Sequence, residues 1–266
     1  MMKHMLKVAY ARAYVRIKGT NRDFTHYIAD VFLPLLGVSA ILFAYKALNA
    51  PEIYLASAAV GASMIAFWYN ILWSMASQFY WEKEQGNLPL FITSGAPLTG
   101  ILLGMALGGA FNMTLRALGV LILTILLFNI KLNSSALLPT LGLFLLTLSS
   151  LYSLGMIFAS SFLKFGRSVS KINELLGEPI LFLSGVYFPI NVFPLAIQIL
   201  VSLIPLALGI EGMRELLILN KNFYDIIWVY IALIFLTIVF AYIAIKLLKK
   251  MENEGRITGS ITLKWE

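Results

Sequence analysis

Residues 81–97, WEKEQGNLPLFITSGAP, place a charged island and a short apolar stretch between two long hydrophobic runs. Residues 87–95 predict a short helix, in which Asn87 is a suitable N-cap and Pro89 is tolerated in the first turn. Gly95 and Pro97 then end it. A helix of this length is too short to cross a bilayer and too apolar to lie free in water. Lipid headgroups, the rest of the chain or another protein must therefore cover it.

The composition is that of a membrane protein. Of the 266 residues, 60% are hydrophobic and only 12% are charged, and the mean hydropathy is +0.85. A soluble domain carries about 25% charged residues. The absence of cysteine from the sequence excludes disulfides, thiolate catalysis and cysteine-based metal sites. The N-terminal residues 1–25 lack the apolar core and cleavage site of a secretory signal, so we expect the N-terminus to be retained.

Six hydrophobic runs are long enough to span a bilayer, which takes about 20 residues each. They lie near 27–48, 53–78, 98–128, 136–163, 172–188 and 226–248. These runs predict an all-α integral membrane protein with six transmembrane helices in a single transmembrane domain, 1–266. The predicted parts are an interfacial helix at 1–25, spans one to four over 27–163, spans five and six over 172–248, and a cytoplasmic tail at 251–266.

The basic residues predict the orientation of these spans. Fifteen of the twenty Lys and Arg residues fall on one side of the predicted membrane, three fall on the other side, and two lie within spans. Because Lys and Arg are enriched in cytoplasmic loops, we expect both termini to face the cytoplasm. The net charge of +7 is thus mainly a topology signal. A nucleic-acid partner, which needs a basic patch on a soluble surface, is not expected.

The N-terminal segment 1–25 has a partly amphipathic pattern. Its apolar residues share one helical face, with lysines and Arg22 on the opposite face. The residues of the apolar face are Leu6, Ala9, Tyr10, Ala13 and Ile17. A helix of this kind lies in the headgroup layer with its apolar side towards the lipid tails. A disordered basic tail is the alternative interpretation.

Prolines interrupt the segment before the last run. Pro189 and Pro194 cannot continue a helix without losing hydrogen bonds. The apolar residues 195–204 that follow would cover only about 15 Å as a helix. We therefore expect residues 189–208 to form a re-entrant hairpin, whose backbone polar groups must be covered by protein or a wet cavity. A packed plug and an outer gate above a translocation path both fit this pattern.

Two segments together resemble the membrane subunits of type-2 ABC exporters. The first lies where that family has a cytoplasmic coupling helix and contains Glu82, Glu84, Gly86, Leu88 and Leu90, with Pro97 opening the next span. The second resembles the family's re-entrant hairpin and contains Gly185, Phe188, Pro189, Pro194, Gln198, Pro205, Glu211 and Arg214. Asn87 departs from the family pattern, in which Thr or Ser is more frequent. With six spans and a basic N-terminal helix, the resemblance covers nearly the whole chain.

The resemblance implies a permease that works with a separate ATPase. The chain has no Gly-x-x-x-x-Gly-Lys-Ser/Thr loop to cradle phosphates. ATP and Mg²⁺ would therefore be bound by an ABC ATP-binding subunit, and this chain would hold no cofactor. The resemblance further implies an exporter of the plasma membrane, in contact with membrane lipids, whose pathway is formed by two permease copies, identical or related.

The resemblance also assigns roles to the residues of the short helix. The helix would lie in a groove of the ATPase, with apolar residues buried and charged residues making contacts at the rim. The apolar residues are Leu88, Leu90, Phe91 and Ile92, and the charged ones are Glu82, Lys83 and Glu84.

Arg116, near the middle of the third run, is the most costly residue of the chain to place in a membrane. We expect it either to pair with a carboxylate, for which Glu178 is the candidate, or to line a cavity for an anionic headgroup. Glu178 itself lies one helical turn from Glu174. Near the cytoplasmic end of the fifth run, Lys171 or Arg167 would be partners for these two acids.

Three further features have structural interpretations. Asp30 is expected to pair with the basic N-terminal segment. Gly104 and Gly108 form a small-xxx-small pair that permits close helix packing, within the chain or across a dimer. His4 and His26 have neither the number nor the spacing of a metal site.

Two other functional classes remain as alternatives. A secondary transporter often shows inverted repeats and midplane carboxylates. An intramembrane enzyme needs clustered Glu/His, Asp/Asp or Ser/His pairs at membrane depth. Neither pattern is visible in the sequence. The cargo is not specified, since hydrophobic drugs, lipids and lipid-linked glycans all fit the composition.

Overall fold

The computed structural model describes residues 2–22, 24–165 and 168–258, and all regular structure within these ranges is helical. The helices are α1 Met2–Thr20, α2 Phe24–Ala47, α3 Glu52–Ser63, α4 Ile65–Tyr69, α5 Gln78–Glu84, α6 Leu88–Thr93, α7 Leu98–Phe128, α8 Leu137–Phe165, α9 Val169–Leu183, α10 Leu195–Val201, α11 Pro205–Leu217 and α12 Ile227–Thr258. A π-helix, Asn70–Ala76, joins α4 to α5. The prediction of an all-α membrane protein is confirmed.

Five helical segments are long and apolar enough to cross a membrane. They are Tyr27–Ala47, Glu52–Glu84, Leu98–Phe128, Ser134–Ser161 and Phe223–Glu254, which match predicted spans one to four and six. The bent pair α10 and α11 brings the number to six if it counts as one span, with an angle of 107° between its two helices.

The predicted fifth span, 172–188, corresponds to α9 and is shorter than expected. Its 15 residues extend about 22 Å, less than a hydrocarbon thickness of about 30 Å. The helix ends before the predicted boundary because the chain turns at Gly185, whose φ is +70°.

The helices α3, α4 and α5 form one interrupted helix, which we call the central helix. In this segment, Glu52–Glu84, 83% of the most apolar stretch is buried inside the protein, whereas the corresponding share in Phe223–Glu254 is 17%. The largest fully buried side chains around the π-helix are Phe67, Trp68, Ile71, Leu72 and Met75. The main hydrophobic core is therefore built around the second predicted span.

Small residues let α1 approach α7 closely. A Cβ added at Gly100 would lie 2.9 Å from the Met5 carbonyl oxygen, and one at Gly104 would lie 2.5 Å from the Ala9 oxygen. Because the contacts advance in the same direction along both helices, α1 and α7 run parallel, side by side. Of the two predicted uses of Gly104 and Gly108, packing within the chain is observed.

Part of the apolar face of α1 packs against the protein, whereas the sequence predicts that this face meets lipid. Ala9 and Ala13 are buried, whereas Leu6 and Tyr10 are exposed. The small side chains of Ala9 and Ala13 let the backbone of α1 approach the glycines of α7 closely.

The last helix continues ten residues past the predicted span end at 248, to Thr258. An ion pair one turn apart, Lys250 Nζ to Glu254 Oε1 at 3.7 Å, lies on this extension. The predicted tail 251–266 is thus helical as far as 258, and residues 259–266 lie outside the described ranges.

A second close approach joins α3 to the turn after α9. A Cβ added at Gly61 would lie 1.9 Å from the Val186 carbonyl oxygen and 2.9 Å from an Arg214 nitrogen. Only a hydrogen atom fits in this space, so Gly61 sets the distance between α3 and the turn.

We predict that Gly61→Ala strongly destabilises the protein, because a methyl group there must displace backbone, and overpacking of a core costs about 1–3 kcal/mol or more. Gly37→Ala is the control, since a Cβ at Gly37 meets nothing within 4 Å. That variant should keep or slightly raise stability through helix propensity. Thermal unfolding in one detergent measures both, and equal midpoints would contradict the close approach.

Candidate functional site

The short helix predicted at 87–95 is α6, Leu88–Thr93, and glycine conformations set both of its ends. Gly86 has φ +76° and Gly95 has φ +70°, a region that strains any residue with a Cβ. Pro89 lies in the first turn, as expected. Asn87 precedes the helix, but its side chain does not cap it and instead donates to Glu82 at 3.1 Å.

Glu82 lies at the base of α6 and is enclosed by the chain itself. Its carboxylate accepts hydrogen bonds from Arg12 at 2.6 Å, from Asn87 and from Gln78. With a side chain only 8% exposed, Glu82 cannot make the expected rim contact with a partner. These four residues, which we call the Glu82 cluster, instead join α1, α5 and α6. Glu84 is exposed, as a rim residue should be.

Arg12 also contacts α6 directly. Its guanidinium carbon lies 5.7 Å from the centre of the Phe91 ring, within the range of a cation–π contact. Since Arg12 belongs to α1, the short helix is tied directly to α1 and, through the packing of α1, to α7.

The apolar residues of α6 divide between the interior and the surface. Leu88 is 1% exposed and belongs to the main core, so the expectation that it enters a partner's groove is wrong. Phe91 and Ile92 are partly buried and pack against the same core. Leu90 is 64% exposed. The outward face of this loop, which we call the Leu90 surface, consists of Leu90, Thr93, Ser94 and Gly95.

At the end of α9, the Arg214 side chain of α11 is surrounded by backbone carbonyls. Its guanidinium donates to four carbonyl oxygens, those of Ser57, Gly185, Val186 and Phe188. Glu211, one turn earlier on α11, lies 3.5 Å away. Three of these carbonyls follow the end of α9, where helical hydrogen bonding has stopped. One buried side chain thus covers the backbone of the turn 185–188, which leads into the hairpin.

The prolines predicted for the hairpin lie at its turns. Pro189 precedes a 3-10 helix, Pro194 precedes α10, and Pro205 begins α11. The Gln198 side chain donates to the Phe193 carbonyl at 2.7 Å. Three aromatic rings then hold the hairpin on the end of α9 with centroids 5.3–5.8 Å apart, and they belong to Phe182, Phe188 and Phe193. After α10, the chain bends by 107° into α11.

Arg116 pairs with Asp30 rather than with Glu178. The Arg116 Nη2 lies 2.7 Å from Asp30 Oδ2, and Glu178 instead accepts a hydrogen bond from the Tyr69 hydroxyl. The expected carboxylate partner therefore exists but is a different residue, because α2 packs beside α7 whereas α9 packs against the central helix. Because Asp30 pairs with Arg116 of α7, the expectation that Asp30 pairs with the N-terminal segment is wrong. Arg167, which with Lys171 is the other expected partner of Glu174 and Glu178, lies outside the described residues.

Sequence reasoning assigns Arg12 and Arg16 only to membrane orientation. In the structure both guanidinium groups reach between helices, and Arg16 donates to the Ser74 hydroxyl of the π-helix. Their i, i+4 spacing beside Ala9 and Ala13 is the signal that could have identified them. No local pattern indicates that the carbonyl of Ser57 accepts from Arg214.

We predict that Glu82→Gln lowers stability and loosens α6. The change leaves the partly buried Arg12 without its carboxylate, a loss of about 1 kcal/mol or more. Glu84→Gln, the same chemical change at an exposed position, is the control and should leave the unfolding midpoint unchanged. Thermal unfolding and amide hydrogen exchange over 87–95 measure the two effects. If both variants exchange equally, the Glu82 cluster does not hold the short helix.

Comparison with known families agrees with the resemblance of the two segments. The family model described as ABC-2 type transporter matches residues 9–218, which include α6 and the hairpin but not α12. The comparison with curated proteins found no match. Because the matched region makes up well over half of the chain, this protein belongs to the ABC-2 type transporter family, as a membrane permease subunit.

Proposed function

We propose that this permease is the membrane part of an ATP-driven exporter, in which two permease copies, identical or related, form the translocation pathway. A separate subunit binds ATP and Mg²⁺ and docks on the Leu90 surface. The complex lies in the plasma membrane with both termini of this chain in the cytoplasm. The observation that carries the proposal is Leu90, a leucine 64% exposed on a short helix that the chain holds from beneath.

The Leu90 surface has the composition of a small docking contact. One exposed apolar side chain is accompanied by exposed small residues of the same loop, and Glu84, four residues before α6, is also exposed. An apolar centre with a polar rim is typical of protein interfaces. Because Phe91 and Ile92 are anchored in the core of this chain, the helix is ordered before a partner arrives, which lowers the entropic cost of binding.

Two packed connections support coupling between this surface and the membrane helices. The first runs from the Glu82 cluster into α5 and the rest of the central helix. The second runs from Arg12 into α1, which is packed on α7 through Gly100 and Gly104. A subunit that displaces α6 on binding or hydrolysing ATP therefore also displaces the central helix and α7.

The charge distribution and two carboxylates support the assembly. Lys and Arg are concentrated on the side of the membrane that carries α6, which favours a cytoplasmic position for that helix. Glu178 is exposed in the single chain, and the Asp30 side chain is 43% exposed. A carboxylate at membrane depth is costly unless it faces water or protein. A water-filled pathway between two permease copies provides these carboxylates with both water and protein. The hairpin at 189–208 is the outer gate of this pathway.

We predict that Leu90→Asp weakens binding of the ATP-binding subunit at least tenfold, because docking would bury a carboxylate without a partner. Leu219→Asp is the control, since Leu219 is also exposed but lies in the loop between α11 and α12. The measurements are co-purification of the ATP-hydrolysing subunit from native membranes and ATP hydrolysis by the purified complex.

The two variants separate a docking defect from a folding defect. Both should insert and purify in the amount of the unchanged protein. Retention of the ATPase and of its activity by Leu90→Asp would sink the assignment of the docking surface. If the unchanged permease brings down no ATP-hydrolysing subunit, the proposed function itself is wrong.

A further inference from the structure

A cavity of about 700 Å³ opens between α2 and the central helix, at the level of the π-helix. One wall is formed by α2 between Asp30 and Ile41, and the other by the residues between Ile65 and Ser74. Arg116 from α7 also lines it. Cavities of this size hold small molecules of drug-like dimensions.

The two ends of the cavity differ in polarity. The walls run in opposite directions along the chain, so Asp30 lies towards Asn70 and Ser74, whereas Val38 lies towards Ile65. The first end presents a carboxylate, an amide and a hydroxyl, and the second end is apolar. Such a lining is complementary to an amphipathic molecule.

The charge that a ligand meets at the polar end is that of Asp30. The Asp30 side chain is 43% exposed, whereas that of Arg116 is 14% exposed. The carboxylate, 2.7 Å away, covers the guanidinium, which also lies 3.8 Å from the Met113 sulfur. An anion could reach Arg116 only by displacing Asp30, so the pair does not favour an anionic headgroup.

Aromatic rings favour a cation at the same end. Trp73 lines the cavity and is 40% exposed, and Tyr69 lies one turn away. Faces of Trp and Tyr rings attract cations. Two charged residues outside the lining contact it: Glu178 accepts a hydrogen bond from Tyr69, and Arg16 donates one to Ser74. Their opposite charges offset each other.

We propose that this cavity binds an amphipathic monovalent cation, with its charge against Asp30 and Trp73 and its apolar part against Ile41 and Ile65 at the apolar end. The site is formed within one chain. The further statement that such cations are the class of cargo rests on the proposed export function. The binding of the cation does not rest on it, and this binding is measured on the permease alone.

Tetraphenylphosphonium and tetraphenylborate test the proposal, because they share size and shape and carry opposite charges. The purified full-length permease is titrated with each probe separately by calorimetry, against detergent alone, without nucleotide or ATPase. We expect the cation to bind at least tenfold more tightly than the anion. Asp30→Asn leaves the Arg116 charge uncovered and should reverse this preference.

Two tryptophan variants supply a second test that leaves the ion pair intact. Trp73→Leu should weaken tetraphenylphosphonium binding about 2- to 30-fold, the affinity equivalent of a cation–π contact. Trp228→Leu is the control, since Trp228 is exposed on α12 outside the cavity lining, and should leave binding unchanged.

Three results would overturn the proposal. They are tighter binding of the anion by the unchanged protein, a preference for the cation that survives in folded Asp30→Asn, and equal effects of the two tryptophan variants. If Asp30→Asn does not fold, the tryptophan pair decides. Cation binding by a permease that brings down no ATPase would support the site and remove only its role in export.

Discussion

Backbone carbonyls that leave a helix in an apolar environment must find donors, and Arg214 supplies them at the turn 185–188. The same guanidinium reaches the Ser57 carbonyl of α3, and Gly61 leaves the space that this contact needs. The turn, α3 and α11 are therefore fixed to one point. The short length of α9 depends on this contact, because without it the chain would expose unpaired carbonyls in the turn 185–188.

The Glu82 cluster fixes the opposite end of the central helix in a similar way. There Arg12 and Glu82 bring a charged pair between α1, α5 and α6. Ser57 and Glu82 belong to the same interrupted helix, so the hairpin and the short helix are joined by one buried element. An arginine thus anchors each end of the central helix, which is the most buried of the five candidate spans.

The sequence predicts those features that depend on local chemistry. Hydrophobic runs predict the long spans, and the glycines and prolines predict α6 and the breaks of the hairpin. It does not predict which face of a short helix turns inward, and so Leu88 and Glu82 were expected on the surface although tertiary packing buries them. It also does not predict which distant helices become neighbours. The sequence offers Glu178 of the fifth run as the candidate partner of Arg116, but the path of α2 beside α7 brings Asp30 there.

The π-helix Asn70–Ala76 determines how the central helix responds to the loss of a residue. A π-helical turn holds one residue more than an α-helical turn. Deletion of one residue here would allow the segment to close as an α-helix with the helix on either side kept in phase, whereas deletion of one residue elsewhere in the central helix would rotate everything after it by about 100°. In the second case Glu82 would turn away from Arg12, and α6 would project in another direction. The π-helix is thus the part of this element where the loss of one residue changes the helix locally and leaves the direction of α6 unchanged.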